Sequence, residues 1–208
     1  MNPAVALVQA YLQVNGYLTV TEFPIPGGDK KPAAITDIDL IALRFPGARP
    51  LAGTPDPPDP ALAIEAGVMD LLICEVKQGK GRLNPNLSRS EALDAALRRV
   101  GCCPPEQVAE HVTQLLRCGR AEMAHGGVRC RVRLALFAGR PGDRRQVPLV
   151  LSLGYVARAV CDYLLRHQPM LHPLTLTQPA LEYLHLLAKL GLLARGGTEP
   201  QPARPHNA

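Results

Sequence analysis

The sequence predicts an α/β domain, a mixed central sheet flanked by helices, with extra helices toward the C-terminal end. Three observations predict it. Runs of β-branched and aliphatic residues bounded by Gly and Pro alternate with segments whose apolar residues recur every three to four positions. The order of these segments is one helix, three strands, two helices, two strands and closing helices. The 208 residues, 47% hydrophobic and 20% charged, suffice for one ordinary domain with a real core.

The elements follow in order. Val5, Leu7, Val8, Tyr11 and Leu12 have helical spacing, and Asn15-Gly16 is a helix stop. Tyr17 to Ile25 is a first strand and Ala34 to Phe45 a second. The Pro-rich segment from Pro46 to Pro60 is an irregular loop, which separates Asp39 from Glu75 and is expected to overhang the site they form, followed by a short helical turn within Ala61 to Gly67. Asp70 to Lys77 is a third strand, ended by Gly79 and Gly81. Ser88 or Ser90 caps a helix to Val100, and Pro104-Pro105 starts another with Val108, Val112, Leu115 and Leu116 inward. Val128 to Ala138 and Val147 to Leu153 are strands, and Tyr155 to His167 and Gln178 to Leu193 are helices. The expected organisation is a single domain over 1–195, with a core of about 4–160, a helical insertion of about 88–120 and a disordered tail at 196–208.

Several classes are excluded by pattern. No apolar run approaches the roughly 20 residues that span a bilayer, and the start lacks a basic segment ahead of an apolar one, so a cytoplasmic protein with no membrane partner is expected. The six cysteines include no CxxC pair and read as reduced thiols. The histidines are scattered, and there is no P-loop, dinucleotide glycine pattern or Ser-His-Asp arrangement. A net charge of +5 is compatible with a polyanionic partner.

The chemistry concentrates on two strands. Side chains alternate across a strand, so Asp37 and Asp39 share one face of the second strand while Ile38 and Leu40 share the other. Glu75 and Lys77 share a face of the third. Their neighbours are almost wholly apolar, and a buried strand carries charge only when that charge is paired or functional. Two carboxylates at a strand end, with the Val76 carbonyl, offer hard oxygen ligands to Mg²⁺ or Mn²⁺. A metal there polarises a phosphodiester oxygen, and Lys77 is placed to orient water or stabilise developing charge. The plain alternative is a Glu75–Lys77 surface ion pair beside a solvated strand end.

The runs ITDIDLIA and LLICEVK, in this order, resemble the signature of the PD-(D/E)xK, or restriction-endonuclease-like, nuclease superfamily. The resemblance covers roughly Ala4 to Ala138. It implies an αβββαβ core and metal-dependent hydrolysis of DNA, with Asp39, Glu75 and Lys77 catalytic and Asp39, Glu75 and the Val76 carbonyl holding Mg²⁺ or Mn²⁺. DIDLIA is similar to the EIDLIA-type strand of the resolvase-like and Mrr-like branches, which selects Asp39 over Asp37 as the ligand. Asp37 then takes a supporting place. The family often adds a carboxylate from its first helix; here that helix has none, Gln9 is the nearest polar candidate on it, and Glu22 lies on the first strand. A rival reading is a catalytically inactive nucleic-acid-binding or assembly module on the same fold.

DNA, including branched or single-stranded forms, is the expected partner. Lys80 and Arg82 lie just past the ExK strand, and Arg129, Arg131 and Arg133 alternate along one face of the fourth, a candidate groove for a phosphate backbone. The alternative is a charged, solvent-facing edge strand. The last helix carries a strong apolar face, explained first by core packing and compatible with a homodimer contact.

Overall fold

The computed structural model describes residues 2–26, 34–142 and 147–193. The expected tail at 196–208 lies outside them. Helix α1 (Pro3–Val14) starts where the sequence allows it: Asn2 Oδ1 accepts the Ala4 N–H at 2.9 Å, and Pro3 brings no N–H to satisfy. No charge interrupts this helix, and Val8, Ala10, Tyr11 and Leu12 are fully buried. It ends before Gly16, whose φ is +84° and whose missing Cβ would lie 2.7 Å from the Arg49 carbonyl oxygen.

Strands β1 (Leu18–Pro26), β2 (Ala34–Arg44) and β3 (Val68–Gly81) form an antiparallel meander. Helices α2 (Ser90–Val100) and α3 (Val108–Cys118) follow, then the hairpin of β4 (Arg120–His125) and β5 (Val128–Pro141). Strand β5 lies parallel to β3, and β6 (Leu149–Ser152) pairs parallel with its second half. The sheet order is β1-β2-β3-β5-β4, with β6 joined to β5. Helices α4 (Leu153–Arg166), α5 (Gln168–Leu171) and α6 (Pro179–Lys189) complete the chain. The result is an open mixed sheet flanked by helices, as expected of the α/β class.

Two apolar cores sandwich this sheet. On one face Tyr11 and Leu12 of α1 and Val156, Val160 and Leu164 of α4 pack on Leu40, Leu72, Cys74 and Phe137, with Leu181 of α6 alongside. On the other, Leu93 and Leu97 of α2 and Val108, Val112 and Leu115 of α3 pack on Ile41, Leu71, Ile73, Val132 and Leu134. Burial on both faces explains why β3 reads as a continuous apolar run rather than an alternating one. No helix among the described residues is long and apolar enough to cross a membrane.

Three local expectations are corrected. Residues 120–125 form a strand, β4, turned into β5 by Gly126 and Gly127 at φ +58° and +80°, the two positive angles of a tight primed hairpin turn. Strand β3 does not stop at Gly79 but runs to Gly81, because β5 stays beside it as far as Pro141. The Pro-rich loop does not overhang the Asp39–Glu75 end of the sheet. It leaves from the Arg44–Asp70 end, about 15 Å along the ladder. There it is pinned to α1 and α4: Asp59 accepts hydrogen bonds from the hydroxyls of Tyr11 at 3.0 Å and Tyr155 at 2.8 Å, and Tyr163 accepts the Ala52 N–H at 2.7 Å.

Candidate active site

Pairing of β2 with β3 runs from Arg44↔Asp70 to Leu40↔Cys74 and stops. Where it stops, the Asp39 side chain replaces the missing backbone partner: its Oδ2 accepts the Val76 N–H at 2.7 Å. A side chain that serves as a ladder acceptor lies toward the neighbouring strand, and strict alternation breaks there. Ile38 packs in the α2–α3 core while Leu40 packs in the α1–α4 core, so the expectation that they share a face is corrected. Opposite Asp39 in the β1–β2 register, between the pairs Thr21↔Leu40 and Phe23↔Ile38, stands Glu22 at φ +52°. Such an irregularity re-aims a side chain at a cost in backbone strain.

Glu75 is almost fully buried, 1% exposed, yet carries a carboxylate. The Lys77 ammonium forms an ion pair with its Oε1, and the Asn84 backbone N–H donates to the same carboxylate. Burial pushes the Glu75 pKa up, and the nearby Asp39 charge pushes it further. The hydrogen bonds from Lys77 and Asn84 oppose that shift without cancelling it. The Lys77 side chain is 41% exposed, so this ion pair reaches from the interior to solvent.

Asp39, Glu75 and Lys77 therefore converge at the end of the β2–β3 ladder. The N–H and C=O of one strand residue leave on the same side, so the Val76 carbonyl faces the gap that Asp39 occupies. Among the described residues no group of three or more His, Cys, Asp or Glu side chains is set to hold a metal. The protein donors on offer are two carboxylates and a carbonyl, all hard oxygens. That set fits Mg²⁺ or Mn²⁺, since Mg²⁺ keeps several waters and uses one or two carboxylates.

The supporting residues divide. Asp37 is exposed, opposite Pro24. Glu22 is exposed at its strained position opposite Asp39. Gln9 does not support the site: its Nε2 donates to Thr19 Oγ1 at 3.1 Å and its Oε1 accepts from Gln178 at 3.3 Å, tying α1 to β1 and to the start of α6.

The proposed arginine groove is also corrected. Arg131 and Arg133 are 6% and 4% exposed. Their guanidinium groups surround buried Asp70: Arg131 Nε donates at 2.9 Å, and Arg133 donates through Nε at 3.1 Å and through an NH2 group at 2.6 Å. The Tyr17 hydroxyl adds a fourth donor at 2.5 Å. Arg131 also donates to the Ala63 carbonyl and Arg133 to that of Leu62, both at 2.9 Å. These two arginines fasten the loop before β3 and have little surface to offer a phosphate backbone. Arg129 is exposed, within 3.7 Å of both Glu65 and Glu122. Lys80 and Arg82 are exposed beyond the ExK segment. The Asn84 contact was invisible in the sequence because it is made by backbone.

Compared with known proteins, the chain matches no protein-family model, no curated protein sequence and no solved structure.

Proposed function

We propose that this chain is a metal-dependent nuclease that hydrolyses DNA phosphodiester bonds, on a core of the PD-(D/E)xK kind. The observation that carries the reading is the convergence of Asp39, Glu75 and Lys77 where the β2–β3 ladder ends. The order helix, three antiparallel strands and two helices, with β5 parallel to β3 after the intervening edge strand β4, supports it. Asp39, Glu75 and the Val76 carbonyl would hold a divalent cation, which would supply Lewis acidity toward a phosphodiester oxygen. Lys77, tied to Glu75 at one end of its reach and open to water at the other, positions the attacking water and offsets charge on the phosphate. Glu75, with its raised pKa, gives up a proton more readily once a cation is near, so activity rises with pH through that group.

The second reading, an inactive DNA-binding module on the same fold, is favoured by one observation: α1 contributes no carboxylate, and its Gln9 is committed to Thr19 and Gln178. Incubation with plasmid, branched and single-stranded DNA, with and without Mg²⁺ or Mn²⁺, separates the two. The nuclease reading predicts metal-dependent cutting that Lys77→Ala removes. Cutting of none of these substrates, with DNA retained on a gel, selects the inactive module.

A further inference from the structure

Beyond Lys77, strand β3 shifts register against β5 between Lys77 and Lys80, and the two strands then run on together as Lys80↔Arg140 and Gly81↔Pro141. A cavity of about 600 Å³ opens at this place, lined by Gln78, Gly79, Lys80, Gly139 and Arg140. It lies at the carboxyl ends of parallel strands, where open α/β sheets bind ligands. We infer that this cavity is a phosphate cradle for the nucleic-acid strand, gripping the backbone beside the Asp39–Glu75–Lys77 centre. The inference rests on the proposed nuclease reading for the identity of the strand, and on its own geometry for the phosphate.

Three observations carry it. Lys80 and Arg140 are direct register partners, both exposed, and among the described residues neither has a carboxylate within ion-pair distance. Like charges set opposite each other across a ladder are destabilising. An anion between them removes that repulsion, and the arginine fork suits two phosphate oxygens at once.

The glycines have separable roles. A Cβ on Gly139 would lie 2.0 Å from the Gln78 carbonyl oxygen, so Gly139 lets the two backbones close and form the floor. A Cβ on Gly79 would meet nothing within 4 Å, and the backbone there is not in the left-handed region. A side chain at Gly79 is therefore tolerated by the fold and projects into free space at the cavity.

The third observation is the N-terminus of α1. Gln78 Nε2 donates to Asn2 Oδ1, the cap of that helix, at 3.0 Å. The positive end of a twelve-residue helix therefore stands next to the cavity wall and adds to its attraction for an anion. At roughly 3.3 Å per residue, Lys80 lies about 10 Å along the strand from Lys77, so one strand of nucleic acid can meet both.

The experiment measures binding of a fluorescein-labelled single-stranded oligonucleotide by anisotropy in EDTA, for wild type, Gly79→Leu, Arg140→Ala and Arg129→Ala, across a salt series. Inorganic phosphate serves as competitor, and thermal melts check each fold. The expected result is at least tenfold weaker binding for Gly79→Leu and Arg140→Ala, with unchanged melting temperatures and no effect of Arg129→Ala. The salt slope of Arg140→Ala should fall by about 0.7, the single-strand value for one lost contact. Competition by millimolar phosphate that Gly79→Leu abolishes supports the cradle. Wild-type affinity in folded Gly79→Leu, or no oligonucleotide binding by wild type, overturns it. Parallel cleavage assays in Mg²⁺ keep the two readings apart. Cutting with Gly79-independent binding refutes the cradle alone. Gly79-dependent binding without cutting refutes the nuclease alone.

Discussion

Strand β3 carries two clusters of acid and base, one around Asp70 and one around Glu75, built to opposite specifications. Asp70 accepts four hydrogen bonds, three from two nearly buried guanidinium groups and one from the Tyr17 hydroxyl. Arg131 and Arg133 are in turn anchored to backbone carbonyls of the preceding loop. Glu75 is as deeply buried as Asp70 but has one half-exposed lysine, one backbone N–H and a second carboxylate beside it. The first cluster is closed and saturated, and it fixes a long loop to the sheet. The second, among the described residues, has spare acceptor capacity, an open side and a carboxyl held above its ordinary range. Burial of charge alone does not mark a site; incomplete satisfaction of that charge does.

The sharpest way to break the comparison is Asp70→Ala. It strands two buried guanidinium groups, and a loss of about 3–5 kcal/mol is expected in urea denaturation. A loss below about 1 kcal/mol would show that the cluster is wetter and looser than its geometry. Tyr17→Phe removes one hydrogen bond to the same charged group and should cost about 1.5–3 kcal/mol.

On the Glu75 side the sign reverses. The folded state holds the Glu75 proton more tightly than the unfolded chain does, so the stability this group contributes is present below the ordinary carboxylate range and falls as pH rises through its raised pKa. Glu75→Gln should therefore melt higher than wild type at pH 7, with the gain shrinking toward pH 4. A lower melting temperature at pH 7 would place Glu75 among the structural acids with Asp70. Smaller still, Lys77→Ala should cost about 1 kcal/mol at pH 7, because it leaves the buried Glu75 carboxylate without its cation, and less toward pH 4, where Glu75 takes up a proton.

This contrast also marks where sequence was informative. The strands holding Asp39 and Glu75 were legible because charge is rare in two-sided apolar runs, and ICEVK and IDLIA kept that pattern. The break in alternation at Asp39 was not legible, because it depends on where the β2–β3 ladder ends and on a positive φ at Glu22. The burial of Arg131 and Arg133 is not legible in the sequence, because alternation gives the shared face but not whether that face is open. Their partner, Asp70, sits a strand away in register. The hairpin of β4 and β5 did carry a signal, Gly126-Gly127, and a six-residue strand straight after a helix masked it. The length of β3 was hidden for the opposite reason. Gly79 and Gly81 read as a stop, whereas Gly81 allows close approach, a Cβ there falling 2.3 Å from that of Ala138.

The Asp39–Glu75–Lys77 centre is tested most directly by the single-turnover cleavage rate of labelled DNA in Mg²⁺, compared between wild type and folded Lys77→Ala. Wild type is expected to cut only with the metal, and the variant to be about 10²–10³-fold slower, the scale of losing one charge-stabilising group. Equal rates in the two proteins, or cutting by wild type that persists in EDTA, would contradict this expectation.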